Sequence, residues 1–320
     1  MKPTVISTFA GCGGSSLGYQ MAGFNELLAV EWEQNAVDTF RLNFPDVSVY
    51  HGDITGLSGD RCIELAGIKK GELDVLDGSP PCQGFSTAGK RKFDDPRNSL
   101  FKEYARLLLE LQPKAFVMEN VTGMVKGCMK QAYLQVIKTL RNCGYKAKGE
   151  VLNAMYYGVP QSRERVIIIG FRDDLWIEPS HPKPQTKPIA VSSILGHLEN
   201  EGGPPLTECA RKYWPMLKPG ESAAKYHPKG HLFGMVKLNP LKPSPTLLKS
   251  CGNPVCHYSK PRFLSKNEMK LIASFPENFI INGSIGNTRD RIGNSVPPLL
   301  MKAIAGHVKK ILDNRLEQVT

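Results

Sequence analysis

The sequence predicts an α/β fold, with a mostly parallel sheet covered by helices on both faces and a smaller irregular domain beside it. Two observations predict it. Up to residue 171, short apolar runs alternate with stretches of helical periodicity, the mark of strand–helix–strand units. Across residues 173–262 that alternation gives way to Pro and Gly, with basic residues such as Lys183, Lys187, Lys218, Lys225, Lys229 and Lys237 interspersed. Element by element, residues 4–9 read as a buried strand, 11–14 as the turn after it and 16–22 as a helix. Residues 27–31 read as the second strand, after which Ala36, Val37, Phe40 and Phe44 recur at helical spacing. Further strands are expected at 47–50, 73–76, 115–118 and 166–171. Leu100, Tyr104, Leu108 and Leu111 mark one helix face, and Ala132, Val136 and Leu140 another. Near the end, Leu300, Ile304, Val308 and Ile311 form an amphipathic helix with Pro297 and Pro298 around its first turn.

Composition narrows the function classes. The chain has 320 residues, 41% of them hydrophobic and 22% charged, which excludes a disordered tail and a membrane bundle. Its 41 Lys and Arg against 30 Asp and Glu leave a net charge of +11, a hint of a polyanionic partner. The eight cysteines form no CxxC pair, so a disulfide framework is not expected and a reducing compartment is. Cys251, Cys256 and His257 have too few partners for a zinc site, and no metal is expected. The N-terminal apolar stretch is too short and too polar for a secretory signal. The apolar run at 166–169 is too short to cross a bilayer. A cytoplasmic protein is expected.

Candidate chemistry gathers at strand ends. Phe9-Ala10-Gly11-Cys12-Gly13-Gly14 joins a strand to a helix, where glycines let backbone approach a ligand at the carboxyl edge of a parallel sheet. It begins like G-x-G-x-x-G, but Ser16 stands at the third glycine position, which weakens a dinucleotide reading. Glu31 is either a ribose-hydroxyl ligand or a solvated strand end. Trp32 is either a flat face for a purine or an ordinary core residue, and Asp53 is a candidate acceptor for an adenine amino group. Together they describe a nucleoside pocket. Asp77-Gly78-Ser79-Pro80-Pro81-Cys82-Gln83-Gly84-Phe85-Ser86 follows the strand at 73–76, so Cys82 belongs on the same edge. Two prolines stiffen its approach, and a thiol there is a soft nucleophile for covalent catalysis rather than core filling.

With these motifs assembled, the sequence resembles the cytosine-5 DNA methyltransferases through nearly the whole chain. Besides the glycine loop and the Cys82 motif, it carries Met118-Glu119-Asn120-Val121 and Gly158-Val159-Pro160-Gln161-Ser162-Arg163-Glu164-Arg165. Gly293-Asn294-Ser295-Val296-Pro297 precedes the last helix. Five motifs in the family's order carry far more weight than any one. Only the segment from Arg172 to about Pro240 lacks a recognisable family pattern, and there the family varies to read different targets. The resemblance implies a Rossmann-like, S-adenosylmethionine-dependent methyltransferase domain over 1–172, completed by 285–320. It implies a small target-recognition domain over 173–284.

The resemblance also implies roles. Cys82 as thiolate would add to carbon 6 of cytosine, so that carbon 5 takes a methyl group from S-adenosylmethionine and S-adenosylhomocysteine is released. Glu119 would hold ring nitrogen 3 and the exocyclic amine, and Arg165 the base carbonyl oxygen, with Arg163 close to the same site. The methyl donor would be surrounded by Phe9, Gly11, Gly13, Gly14, Glu31, Trp32, Asp53, Ile54, Pro80, Leu100, Asn294, Ser295 and Val296. The target cytosine must leave the duplex stack to be reached. A loop over residues 83–98 would close on the DNA, with Gln83 and Ser86 near the vacated site and Lys90, Arg91, Lys92 and Arg97 on phosphates. Gln161 is a further expected DNA contact, and Thr246 matches the family's phosphate-contacting position. The implied enzyme is a bacterial or phage modification enzyme, monomeric on double-stranded DNA, with a cognate restriction endonuclease acting separately. A tRNA cytosine methyltransferase of the same family is disfavoured, because Cys256-His257-Tyr258 stands where that branch carries Cys-Phe-Thr. A dinucleotide oxidoreductase would leave Pro80, Pro81, Cys82 and residues 161–165 without roles.

Overall fold

The computed structural model describes residues 2–81, 99–198, 201–232, 234–249 and 254–317. Its main sheet has seven strands: β1 (Thr4–Thr8), β2 (Asn25–Glu31), β3 (Ser48–His51), β4 (Val75–Gly78), β5 (Ala115–Val121), β6 (Tyr145–Asn153) and β8 (Glu164–Arg172). Their order is β3-β2-β1-β4-β5-β8-β6. Strands β3, β2, β1, β4 and β5 pair parallel, whereas β8 runs antiparallel to β5. The connections from β1 lead outward on one side and those from β4 on the other. Such a reversal opens a crevice beyond the carboxyl ends of the strands.

Helices α1 (Gly14–Met21), α2 (Gln34–Asn43), α3 (Gly59–Ala66), α4 (Ser99–Leu111) and α5 (Lys130–Asn142) alternate with these strands. Strand β5 is buried at every position from Ala115 to Asn120, as expected of a strand covered on both faces. Tyr104, Leu107, Leu108 and Leu111 recur at helical spacing on α4 and pack with Ile6, Leu28, Leu76 and Phe116 in one core. Burying each such side chain contributes roughly 1.5–3 kcal/mol. The expected strands and helices are present with ends moved by a few residues, the strand expected at 73–76 running over Val75–Gly78. Strand β6 was not anticipated. It carries Lys146, Lys148 and Glu150 among its buried residues, so no apolar run announces it.

Close-packing divides the chain into two compact units. The first contains residues 1–152, 164–183 and 301–320, and the second 153–163 and 184–300. The second holds the two-stranded parallel pair β7 (Gln161–Ser162) and β9 (Ser244–Pro245). Its helices are α6 (Val191–Leu195), α7 (Glu208–Tyr213), α8 (Lys266–Ile272) and α9 (Ile285–Asn294). Helix α10 (Pro298–Glu317) begins at the second of the two prolines. Leu206, Ala210, Tyr213, Leu217, Met235 and Phe263 form a separate core in the second unit. There Glu268 is fully buried, with Arg262 Nη1 and Nη2 at 2.7 and 2.8 Å from its carboxylate oxygens. It also completes a capping box with Ser265, so the buried charge is both paired and hydrogen-bonded.

Candidate active site

A cleft of about 290 Å³ lies at the carboxyl edge of β1 to β4, lined by Phe9, Val30, Glu31, Trp32, Gly52, Asp53, Ile54, Pro81 and Leu100. The loop after β1 reaches it through left-handed backbone at Phe9 (φ 55°), Gly11 (φ 57°) and Gly13 (φ 91°). Gly13 is required twice over, because a Cβ there would lie 2.4 Å from Cε2 of Phe44. Glu31 fixes the loop: Gly11 N–H donates to Oε2 at 2.8 Å, and the Trp32 and Glu33 N–H groups donate to Oε1 at 2.9 Å. Glu31 is thus buried and bonded, not a solvated strand end. Trp32 is 74% exposed, which rules out an ordinary core tryptophan. Asp53 Oδ1 accepts from Thr55 N–H at 2.9 Å, which caps the short turn Ile54–Gly56 and leaves the carboxylate exposed.

The cleft fits a nucleoside-bearing donor. Its volume is near the lower end for small-molecule pockets, roughly 300 Å³. Phe9, Trp32, Ile54, Pro81 and Leu100 supply apolar walls, while Glu31 and Asp53 supply acceptors for hydroxyl and amino groups. Of the donor residues expected from sequence, Phe9, Glu31, Trp32, Asp53, Ile54 and Leu100 line the cleft. Gly11 stands behind Glu31, and Gly13 and Gly14 are buried at the start of α1. Pro81 takes the lining position expected of Pro80; Pro80 is buried and its carbonyl accepts from Asn120 Nδ2 at 3.0 Å. Val30, Gly52 and Pro81 were missed, although each adjoins a residue the motifs had singled out.

Strands β4 and β5 bring the second group of residues to the same edge. Thr8 Oγ1 donates to Asp77 O at 2.9 Å, and a Cβ at Gly78 would lie 2.4 Å from that hydroxyl. On β5, Glu119 is 7% exposed, and Arg165 Nε of β8 lies 2.8 Å from its Oε1. Arg165 Nη1 also donates to Glu164 O at 2.7 Å. A buried carboxyl group thus faces a guanidinium across two strands.

Beneath the glycine loop lie two further acids. Tyr19 hydroxyl donates to Asp77 Oδ1 at 3.3 Å, and Ser16 hydroxyl to Glu26 Oε1 at 2.9 Å. Burial, with Glu26 nearby, holds the Asp77 carboxyl well above the usual range. Burial also pushes Glu26 up to about 7, against the pull of the Ser7 and Ser16 hydroxyls.

In the second unit, two expectations are corrected. Gln161, expected on DNA, is 1% exposed, with Oε1 accepting from Leu247 N–H at 3.2 Å and Nε2 donating to Ile272 O at 3.5 Å. Arg163, expected beside the reacting base, is 2% exposed and donates to the carbonyls of Leu247, Gly293 and Ser295. Both side chains spend their polar atoms inside the protein. Thr246 is half-buried, and its hydroxyl donates to Ser162 O at 2.8 Å. Asn294 is exposed, Ser295 half-buried and Val296 buried. Cys82, Gln83, Ser86, Lys90, Arg91 and Arg97 lie outside the described residues. Among the described residues no group of three or more His, Cys, Asp or Glu side chains could hold a metal, and no helix is long and apolar enough to cross a membrane. Cys62 and Cys256 are buried, which pushes both thiols up to about 12 and makes them poor nucleophiles.

Sheet order and cleft together are those of a Rossmann-like α/β fold with a pocket at the carboxyl edge of its strands. The model of the C-5 cytosine-specific DNA methylase family matches residues 3–310, and the chain belongs to that family. It is 38% identical to a type II methyltransferase, M1.HphI of Haemophilus parahaemolyticus, over 98% of this chain and 88% of the relative. It is 31% identical to M.XorII of Xanthomonas oryzae, over 99% and 87% of the two chains. In fold it is similar to an E. coli prophage DNA modification methyltransferase, with a TM-score of 0.81 at 24% identity over 98% of this chain and 100% of that one. A DNMT2 structure from Spodoptera frugiperda gives 0.71 at 20% identity over 98% and 100%. The chain is a C-5 cytosine DNA methyltransferase of the type II kind, acting on DNA with S-adenosylmethionine as methyl donor.

Proposed function

We propose that the chain methylates carbon 5 of a flipped-out cytosine within a specific duplex sequence, through a covalent bond to Cys82. The observation that carries this reading is the Glu119–Arg165 pair, 2.8 Å apart at the sheet edge that also bears the cleft. Cys82 thiolate adds to carbon 6, and the displaced ring electrons move toward nitrogen 3 and the carbonyl oxygen. Glu119 holds a proton at nitrogen 3, and Arg165 stabilises charge at the oxygen. Phe9, Glu31, Trp32, Asp53, Ile54 and Leu100 would hold S-adenosylmethionine, whose methyl group would pass from sulfur to carbon 5 with S-adenosylhomocysteine released. Loss of the carbon-5 proton then expels Cys82 as thiolate and restores the aromatic ring.

The remaining roles follow the family resemblance. Gln83 and Ser86 stand by the vacated site, Lys90, Arg91 and Arg97 contact phosphates, and Thr246 contacts the backbone near the target. Asn294, Ser295 and Val296 belong to the donor side. Residues 1–172 with 285–320 serve catalysis, and 173–284 serve target recognition. The enzyme acts in the cytoplasm as a monomer, with a restriction endonuclease of the same specificity as a separate protein. Tritium transfer from labelled donor tests the reading, with duplex DNA and tRNA offered separately. Label in cytosine of DNA is expected, and label in tRNA alone would overturn it.

A further inference from the structure

We propose that Arg163 is a positioning residue that clamps the turn at 293–295 to the segment at 246–248, so that donor-side and DNA-side surfaces keep one register. What those segments bind rests on the proposed function; the clamp itself rests on geometry. Arg163 Nη2 donates to Gly293 O at 2.8 Å and to Ser295 O at 2.9 Å, and Nη1 donates to Leu247 O at 3.3 Å. One planar guanidinium thereby joins stretches more than eighty residues away on one side and more than a hundred on the other. A lysine ammonium lacks that fork.

The carbonyls have a physical need for it. Helix α9 ends at Asn294, and the last carbonyls of a helix have no partner within it. A cation there also meets the negative end of the helix dipole. Gly293 supplies an independent sign of the same junction. A Cβ at that position would lie 2.4 Å from the backbone N of Lys249 and 2.8 Å from the carbonyl carbon of Leu248. Two backbones therefore meet directly where the guanidinium binds them.

Neighbouring contacts extend the clamp to Thr246. Gln161 accepts from Leu247 N–H, Thr246 donates to Ser162 O, and β7 pairs with β9 in the register Gln161–Ser244 and Ser162–Pro245. A shift at residues 293–295 cannot leave the Thr246 segment untouched. Donor and DNA binding become linked, and such linkage is reciprocal.

Full-length Arg163→Lys and Gly293→Ala proteins test this by steady-state kinetics and by calorimetry with S-adenosylhomocysteine, with thermal unfolding as the control for folding. Each variant is expected to raise donor KM and product Kd about tenfold, the scale of one lost charge-assisted hydrogen bond, with kcat within about threefold of wild type. A fall in kcat with donor KM unchanged would put the guanidinium on the reacting base and overturn the proposal. Unchanged kcat and KM in a folded Arg163→Lys protein would also overturn it. Failure of wild type to methylate DNA would instead sink the proposed function, while the calorimetric weakening would still support the clamp.

Discussion

Arg165 Nε lies 2.8 Å from Glu119 Oε1, although the register of β5 and β8 sets Arg165 opposite Val121 and Glu119 opposite Ile167. The pair is a diagonal one, which long side chains span across an antiparallel ladder. The reversal of β8 creates it. Glu119 shares a face with Val121, so Arg165 arrives beside the carboxylate with its guanidinium largely covered. Protein partners alone therefore fix the two groups side by side.

Replacing either member should separate chemistry from binding. Glu119→Gln and Arg165→Met are expected to lower single-turnover methyl transfer by about 10²–10³-fold, the usual cost of removing one group that meets developing charge. Calorimetric affinity for S-adenosylhomocysteine should stay within about threefold of wild type. Parallel loss of both would mean that the pair supports the fold and not the reaction.

Cys82→Ser should abolish turnover and leave donor binding nearly intact. DNA carrying 5-fluorocytosine in the target site should trap the wild-type enzyme, because the carbon-5 fluorine cannot leave as a proton does. A denaturant-resistant, slower-migrating complex on a gel is the expected result. If active enzyme gives none, Cys82 does not act covalently.

Donor affinity should depend differently on Glu31 and Trp32. Glu31→Gln loses charge from a carboxylate that accepts from the N–H groups of Gly11, Trp32 and Glu33. It should cost roughly 1–3 kcal/mol of stability as well as donor affinity. Trp32→Ala removes an exposed ring and should weaken donor binding alone. Thermal unfolding beside calorimetry separates the two, and a destabilised Trp32→Ala protein would contradict the expectation.

Stability should fall as pH rises from about 4.5 to about 7, because burial pushes the Glu26 carboxyl from its ordinary 4.5 up to about 7. An acid whose folded pKa is raised keeps its proton longer when folded, so its stabilising contribution is complete below the unfolded value and lost through the folded one. Asp77 acts in the same direction. Glu26→Gln should flatten this slope and raise stability above pH 7 by about 1–3 kcal/mol, measured by urea unfolding at pH 5 and pH 8. An unchanged slope in the variant would assign the effect to other groups.

Much of this protein was legible in one dimension because its signals are local. Buried strands are short apolar runs, helix faces repeat every three or four residues, and the glycine loop and the two prolines before Cys82 carry their own backbone demands. Those signals sufficed for the α/β class, the mostly parallel sheet and the residues around the cleft. Strand β6 escaped because its lysines and glutamate break the apolar run that would have revealed it. The direction of β8 escaped because alternation of burial is the same for parallel and antiparallel neighbours.

What the sequence determined by itself was the inventory and order of the candidate groups: the acids Glu31 and Asp53, the thiol of Cys82, and the pair Glu119 and Arg165. What only the tertiary structure decided was where the polar atoms of Gln161, Arg163 and Glu31 are spent. Two arginines two residues apart look alike along a strand, yet one faces Glu119 and the other is enclosed by the carbonyls of Leu247, Gly293 and Ser295. The difference lies in partners more than eighty residues away, and no spacing rule along the chain encodes a contact of that range.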